Sequence, residues 1–278
     1  MTLNVLGNIF IERVILPTWL EVIRLVGWIK IIELEKMDLK DVILIQGLPG
    51  LGFVGKIAVD YMIEVLNPVK IAELYSDYLL LPDGKSGVII NYKGIVSLPK
   101  YEFYAYKGDK NIIFLAGDTQ PVSWAQYTVA EKVIEYASKY GLQMIVTLGG
   151  TTSVSGKYNV FGVATSEDLA NLLKKYGVKL SQGGAVTGAC GIMLGLAKLH
   201  NIKAFSLLGS ITQLYPDVIA AKNVIKIVTE MFNLKIDFTK IDKVIEDMKM
   251  KATIAEKLSQ LAKIKKEKKG EAPPRYYM

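Results

Sequence analysis

Cysteine and histidine are almost missing from this 278-residue chain, which has one of each, Cys190 and His200. A structural zinc site takes about four Cys or His ligands, so that class is excluded, and so is a disulfide framework. The shortage of thiols suits a reducing, cytoplasmic location. Long uncharged stretches are also missing where a membrane anchor would be expected. The apolar opening, Met1 to Lys30, is broken by Glu12, Arg13, Glu21 and Arg24, and its longest uncharged run is the first eleven residues. A bilayer span needs about 20. The opening has neither a basic start nor a small-residue cleavage site, so it does not read as a signal peptide. Two readings of 1–36 stay open: an upstream extension ahead of a conventional start near Met37, or an amphipathic segment that packs on a partner or a membrane.

Acids are in modest deficit, which gives a net charge of +7 and a pI near 9.1. Residues 263–269 hold five lysines and one glutamate, and without them the excess falls to +3. The basicity is thus a local feature of the tail, with no interleaved aromatics. It reads as a solvated helix end near the negative pole of the dipole, and no nucleic-acid partner is expected.

What the chain does have is a core-forming supply of apolar residues, 51% of the total. At this length about three quarters of the unfolded surface can be buried, so neither metal nor disulfide is needed for stability. Four short runs, Val42–Ile45, Ile112–Leu115, Met144–Leu148 and Ala204–Leu208, are apolar on both faces and end in glycine-bearing turns. That is the pattern of helix-covered parallel strands. Amphipathic stretches of helical length lie between them at 53–66, 123–139, 166–176, 188–199 and 215–233. Ser166-Glu167-Asp168 and Pro216-Asp217 read as helix starts with early acids. Tyr-rich segments over 69–106, split by turn residues, predict a β-meander. The expected fold is α/β, a mixed sheet with helices on both faces over residues 37–236, and a strand-like Ile31–Leu34 precedes it.

After Phe238 the period changes. Ile241, Val244, Ile245, Met248, Ala252, Ala255, Leu258 and Ala262 recur at three- and four-residue steps, one stripe on a helix of roughly seven turns. Such a stripe needs a surface, its own core or another subunit, so 237–270 is expected to be a helical oligomerisation segment. Gly270 and Pro273-Pro274 end it, and 271–278 is expected to be an extended, flexible tail.

Several motifs invite chemistry. Gly47-Leu48-Pro49-Gly50-Leu51-Gly52-Phe53-Val54-Gly55-Lys56 follows a strand and opens a helix. Gly50, Gly52 and Gly55 fit a dinucleotide fingerprint, with Glu73 at roughly the right distance to hold a ribose. Gly50 through Lys56 also fits a phosphate loop up to Ile57, which replaces the hydroxyl that would hold magnesium. The competing reading is a tight turn whose glycines let the helix approach the sheet. Gly117-Asp118-Thr119-Gln120-Pro121 and Leu148-Gly149-Gly150-Thr151-Thr152 should lie at the same sheet edge. A ligand crevice lined by Gly47, Gly50, Gly52, Asp118, Thr119 and Thr151 is therefore expected. Cys190 and His200 are ten residues apart on one helix, about 15 Å, too far for a nucleophile and its base. No catalytic residue, metal or cofactor is assigned. The tail is different: Tyr276, Tyr277 and the free carboxylate of Met278 form a compact anchor, with rings for burial, a hydroxyl for a hydrogen bond and a charge for a lysine.

Together, Ile45–Lys56, Gly117–Pro121, Leu148–Thr152 and Gly183–Gly188 resemble the archaeal proteasome assembly chaperone 2 family over about 37–233. The resemblance implies a nucleoside-phosphorylase-like fold, homo-oligomers and a non-enzymatic, ATP-independent role as a chaperone or activator. It also implies a C-terminal hydrophobic–tyrosine–any-residue signature that inserts into the α-ring of the proteasome core. Here Tyr276, Tyr277 and Met278 fill those places. Segment 1–36 lies outside the family pattern. The alternative is an enzyme of nucleoside or nucleotide metabolism working in the Gly-rich crevice.

Overall fold

Each of the four doubly apolar runs is a strand in the computed structural model, which describes residues 27–152, 156–212, 216–251 and 253. They are β2 (Ile43–Gly47), β7 (Ile112–Gly117), β8 (Met144–Thr152) and β11 (Lys203–Ile211), and they pair in parallel in the order β7-β2-β8-β11. Antiparallel strands extend the sheet on one side: β6 (Lys100–Tyr106), β3 (Val69–Ser76) and the edge strand β1 (Ile29–Glu33). On the other side lie β9 (Val160–Ala164), antiparallel to β11, and the two-residue β10 (Lys179–Leu180). The result is one nine-stranded mixed sheet.

The five expected helices fall where the periodicity puts them: α1 (Val54–Leu66), α2 (Gln126–Ser138), α3 (Glu167–Lys175), α4 (Gly188–Leu199) and α5 (Val218–Phe232). Their apolar stripes divide between the faces. Ala58, Val59 and Met62 of α1, Leu169 and Leu173 of α3, and Val224 and Val228 of α5 meet Ile43, Ile45 and Val146 on one side. Val129 and Val133 of α2 with Met193 and Ala197 of α4 meet Leu44, Ile113 and Ile145 on the other. The period-2 alternation of β2 and β8 makes that division possible. Both helix starts read from the sequence are capped by a side chain, and early acids follow the cap only in α3, at Glu167 and Asp168. The Ser166 side chain accepts from Leu169 N at 3.4 Å, and the Asp217 carboxylate accepts from Ala220 N at 3.0 Å and from Thr212 N at 2.9 Å.

Segment 69–106 is more than a meander. Its ends are full strands of the main sheet, and only β4 (Ile89–Ile90) and β5 (Val96–Ser97) form a separate small ribbon between them. The sheet also starts earlier than the run at 31–34 implies, because Ile29–Glu33 pairs in continuous register with Ala72–Ser76. Strand β9 was not foreseen. It has only five residues, Val160–Ala164, broken by Gly162 and set between polar, turn-rich stretches, so its run is too short to stand out on its own.

The terminal helix begins at residue 239 and is described through residue 251. Ile241 and Ile245 are buried against the α1/α5 side of the core, while Val244 and Met250 stay exposed. Tyr61 of α1 fixes this entry: its hydroxyl donates to Asp237 O at 2.6 Å and accepts from Ile241 N at 3.3 Å. Ala252 and the stripe residues beyond 253, the lysine run and the tail lie outside the described residues.

Candidate functional site

Parallel strands put their carboxyl ends on one edge, and the three Gly-bearing loops gather there as expected. Between them is a crevice of about 500 Å³ lined by Gly50, Leu51, Gln120, Gly149–Thr152 and Ala185–Cys190. Of the expected lining residues, Gly50 and Thr151 face it. Gly47 lies beneath, at the end of β2, where an added Cβ would sit 2.1 Å from Gly55 O. Gly52 takes a left-handed φ of 62° and faces Ile211 and Asp217 on the far side of the loop. Asp118 and Thr119 turn away as well. The Asp118 carboxylate accepts from Lys100 N at 3.2 Å, tying the start of β6 to the end of β7, and burial pushes its pKa up. Thr119 is buried and bonds only its neighbour Gln120 O.

Gln120 takes the place expected of them. Its Nε2 donates to Pro49 O at 2.6 Å, and its Oε1 accepts from Ala189 N at 3.1 Å. One amide thus clamps the first Gly-rich loop to the amino end of α4. The sequence signal available was its place in a strand-end loop, which does not reveal where a side chain points.

The glycines of the first loop serve close packing. A Cβ on Gly55 would lie 2.1 Å from Leu148 O, and one on Gly150 would lie 2.2 Å from Leu51 O. Real Cβ contacts are essentially never under 3.0 Å, so α1 rests on the backbone of β8. The phosphate-loop residues are committed elsewhere. Lys56 pairs with Asp60 one helical turn on, at 2.7 Å, and Ile57 packs against the core. Glu73 is on β3, separated from β2 by β6 and β7, and belongs to an ion-pair network with Lys70, Lys100, Glu102 and the Tyr75 hydroxyl.

That network makes an acid-stability prediction. Burial pushes the Glu73 carboxyl up, but the Lys100 ammonium, the Tyr75 hydroxyl and the Lys70 ammonium outweigh it and hold it at about 2. A carboxyl depressed in the folded state adds stability above its unfolded pKa, and that stability is lost as pH falls through the folded value. Between roughly pH 4.5 and 2 the urea midpoint of the native protein should therefore fall more steeply than that of Glu73→Gln. Parallel curves for the two proteins would show the network to be without net effect.

Cys190 and His200 mark the two ends of α4. The Cys190 thiol reaches Leu148 O at 3.4 Å, and burial pushes it up to about 11, so it stays a thiol at neutral pH. His200 caps the helix and meets Glu131 of α2 at 2.8 Å. Among the described residues no three His, Cys, Asp or Glu side chains converge, and no helix is long and apolar enough to cross a membrane. Among the described residues the crevice presents backbone, hydroxyls, the Gln120 amide, the Cys190 thiol and aliphatic groups, but no charged side chain.

The fold and its edge define a mixed-sheet α/β protein with a crevice at the carboxyl ends of its parallel strands, where the described residues bring no nucleophile and base together. The chain belongs to the PAC2 family, whose model matches residues 44–258. An uncharacterized protein of Methanocaldococcus jannaschii is 32% identical over 222 residues, covering 77% of this chain and 84% of that relative. The crystal structure of Pyrococcus furiosus PbaB, an archaeal proteasome activator, aligns with a TM-score of 0.75 at 33% identity, over 82% of this chain and 98% of that one. Pyrococcus furiosus PbaA, an archaeal homolog of proteasome-assembly chaperone, shares the fold with a TM-score of 0.71 at 24% identity, over 87% and 98% of the two chains.

Proposed function

We propose that this protein is a non-catalytic, cytoplasmic chaperone or activator of the proteasome, which docks Tyr276-Tyr277-Met278 into the α-ring of the core particle without using ATP. The observation that carries the reading is the 33% identity to the archaeal proteasome activator PbaB over 98% of that chain. The chemistry of the tail supports the mode of docking. Two aromatic rings and a carboxylate follow a Pro-Pro break, and a chain end of that kind fits a pocket that pairs apolar walls with a lysine.

A homo-oligomer completes the proposal. The terminal helix, which begins at residue 239, keeps Val244 and Met250 exposed even where Ile241 and Ile245 are buried in its own domain. Pairing copies along that side would present several tails at once, and tethered weak contacts gain strongly from effective concentration when their spacing matches the ring. The crevice chemistry gives an enzyme reading no comparable support.

The test is capture of purified proteasome core particles by immobilised full-length protein and by a variant ending at Arg275. Full-length protein should retain the particles, and the variant should lose them while melting at the same temperature. Equal capture by both, or by neither, would refute tail docking.

A further inference from the structure

Among the described residues four buried side-chain atoms lack a hydrogen-bond partner, and two of them, Gln46 Nε2 and the Tyr101 hydroxyl, belong to residues that line one space beneath the sheet edge. Gln46 occupies a position of β2 that points to the α2/α4 side, the side on which Leu44 packs. It is 1% exposed, and its Nε2 has no hydrogen-bond acceptor. Tyr101 of β6, on the same face, is 2% exposed, and its hydroxyl is also unpartnered. Two unpaired buried polar groups facing one another's space are rare in folded proteins, because each forfeits its hydration.

Both groups line one small cavity of about 10 Å³, with Leu48, Pro121, Gln126 and Ala189 among its other walls. That is room for a single water molecule. Apolar cavities of this size stay dry, whereas polar ones with two or more partners hold water. A third polar group is at hand: Gln126 donates its Nε2 to Pro121 O at 3.3 Å, which leaves its carbonyl oxygen as an acceptor. The Tyr101 ring is packed against Gly117, where an added Cβ would lie 2.5 Å from it, so the ring has little freedom to seek a partner elsewhere. Burial also pushes the phenol pKa well up, so it keeps a proton to donate.

We propose that this cavity is a specific site for one ordered water molecule, which accepts from Gln46 Nε2 and the Tyr101 hydroxyl and donates to the Gln126 carbonyl oxygen. The water would join β2, β6 and the start of α2 directly below the loops that form the crevice. It acts as a fixed part of the scaffold that holds them, independent of the docking proposed for the tail.

A high-resolution crystal structure of the full chain should show a density peak within about 3.2 Å of both Gln46 Nε2 and Tyr101 Oη. A dry cavity, or a Gln46 amide bonded directly to a protein acceptor, would overturn the proposal. Unfolding of variants supplies a second readout. Tyr101→Phe and Gln46→Leu should each lower the melting temperature by about 2–4 °C, because each leaves the water or its remaining partner underbonded. The double variant should lose clearly less than the two together, since the water leaves when both anchors are apolar. Strictly additive losses would mean that no common molecule links the two groups.

Discussion

Tyr277→Ala is expected to weaken capture of the proteasome core by about 100-fold per tail while the melting temperature stays unchanged. Full burial of an aromatic side chain contributes about 2–3 kcal/mol, and 1.4 kcal/mol is tenfold in affinity. If several tails engage one ring, the losses compound, and the measured capture should fall below detection. Tyr277→Phe separates the two parts of the anchor. It keeps the ring and removes the hydroxyl, so its loss should be about tenfold, the worth of one hydrogen bond. Competition with a synthetic peptide ending in Arg275-Tyr276-Tyr277-Met278 should displace the full-length protein, and its amidated form should do so more weakly because the carboxylate is gone. Unimpaired capture by Tyr277→Ala would sink the assignment of this residue as the anchor.

Gly55→Ala is expected to destabilise the fold by about 3 kcal/mol, a fall of roughly 10 °C in melting temperature. Helix propensity alone predicts the reverse, because alanine outranks glycine by about 1 kcal/mol inside a helix. The methyl group, however, would sit 2.1 Å from the backbone oxygen of Leu148, and that backbone is held in the middle of the sheet. The clash can be relieved only by lifting α1 off β8, which opens the core around Val54, Ala58 and Val59. Gly195 in α4 is the internal control. Nothing lies within 4 Å of its added Cβ, so Gly195→Ala should stabilise the protein by about 0.5–1 kcal/mol. A cool-melting Gly55→Ala beside a warm-melting Gly195→Ala would assign the loop to packing. If Gly55→Ala melted like the native protein, the close approach would be refuted, and a ligand role for the glycines would return to first place.

The core of the fold was legible along the chain because its signals are local. Strands covered by helices on both faces must be apolar on both faces, which makes Val42–Ile45 or Ile112–Leu115 conspicuous. Helices with one buried side repeat every three or four residues, so α1 through α5 lie where their periods place them. Ser166 and Asp217 announced their helices because a cap is satisfied by residues two or three places on. The weak points were elements without such a period. Strand β9 is short, and the outer strands β3 and β6 carry alternating charged and aromatic residues, Glu73, Tyr75, Glu102 and Tyr104, where a covered strand would carry aliphatics.

The crevice was harder. That three Gly-rich loops would share an edge follows from parallel pairing and could be anticipated. Which side chains point into the space depends on how far each loop turns. Asp118 was drawn back to cap Lys100, Thr119 was buried, and Gln120 crossed from Pro49 to Ala189. The same holds for Gln46, a lone polar residue in an apolar strand, whose meaning depends on Tyr101, 55 positions away.

By itself, then, the sequence determined the class of fold, the positions of most strands and helices, and the family. All of these rest on neighbours in the chain, on period or on composition. Only the tertiary structure decided that the glycines of the first loop serve contact between α1 and β8, that Glu73 is neutralised by lysines of β3 and β6, and that Gln120 clamps the crevice. The physical reason is common to all three. Close approach, ion pairing and hydrogen bonding act over a few ångströms in space, and the groups that meet there are tens of residues apart in the chain.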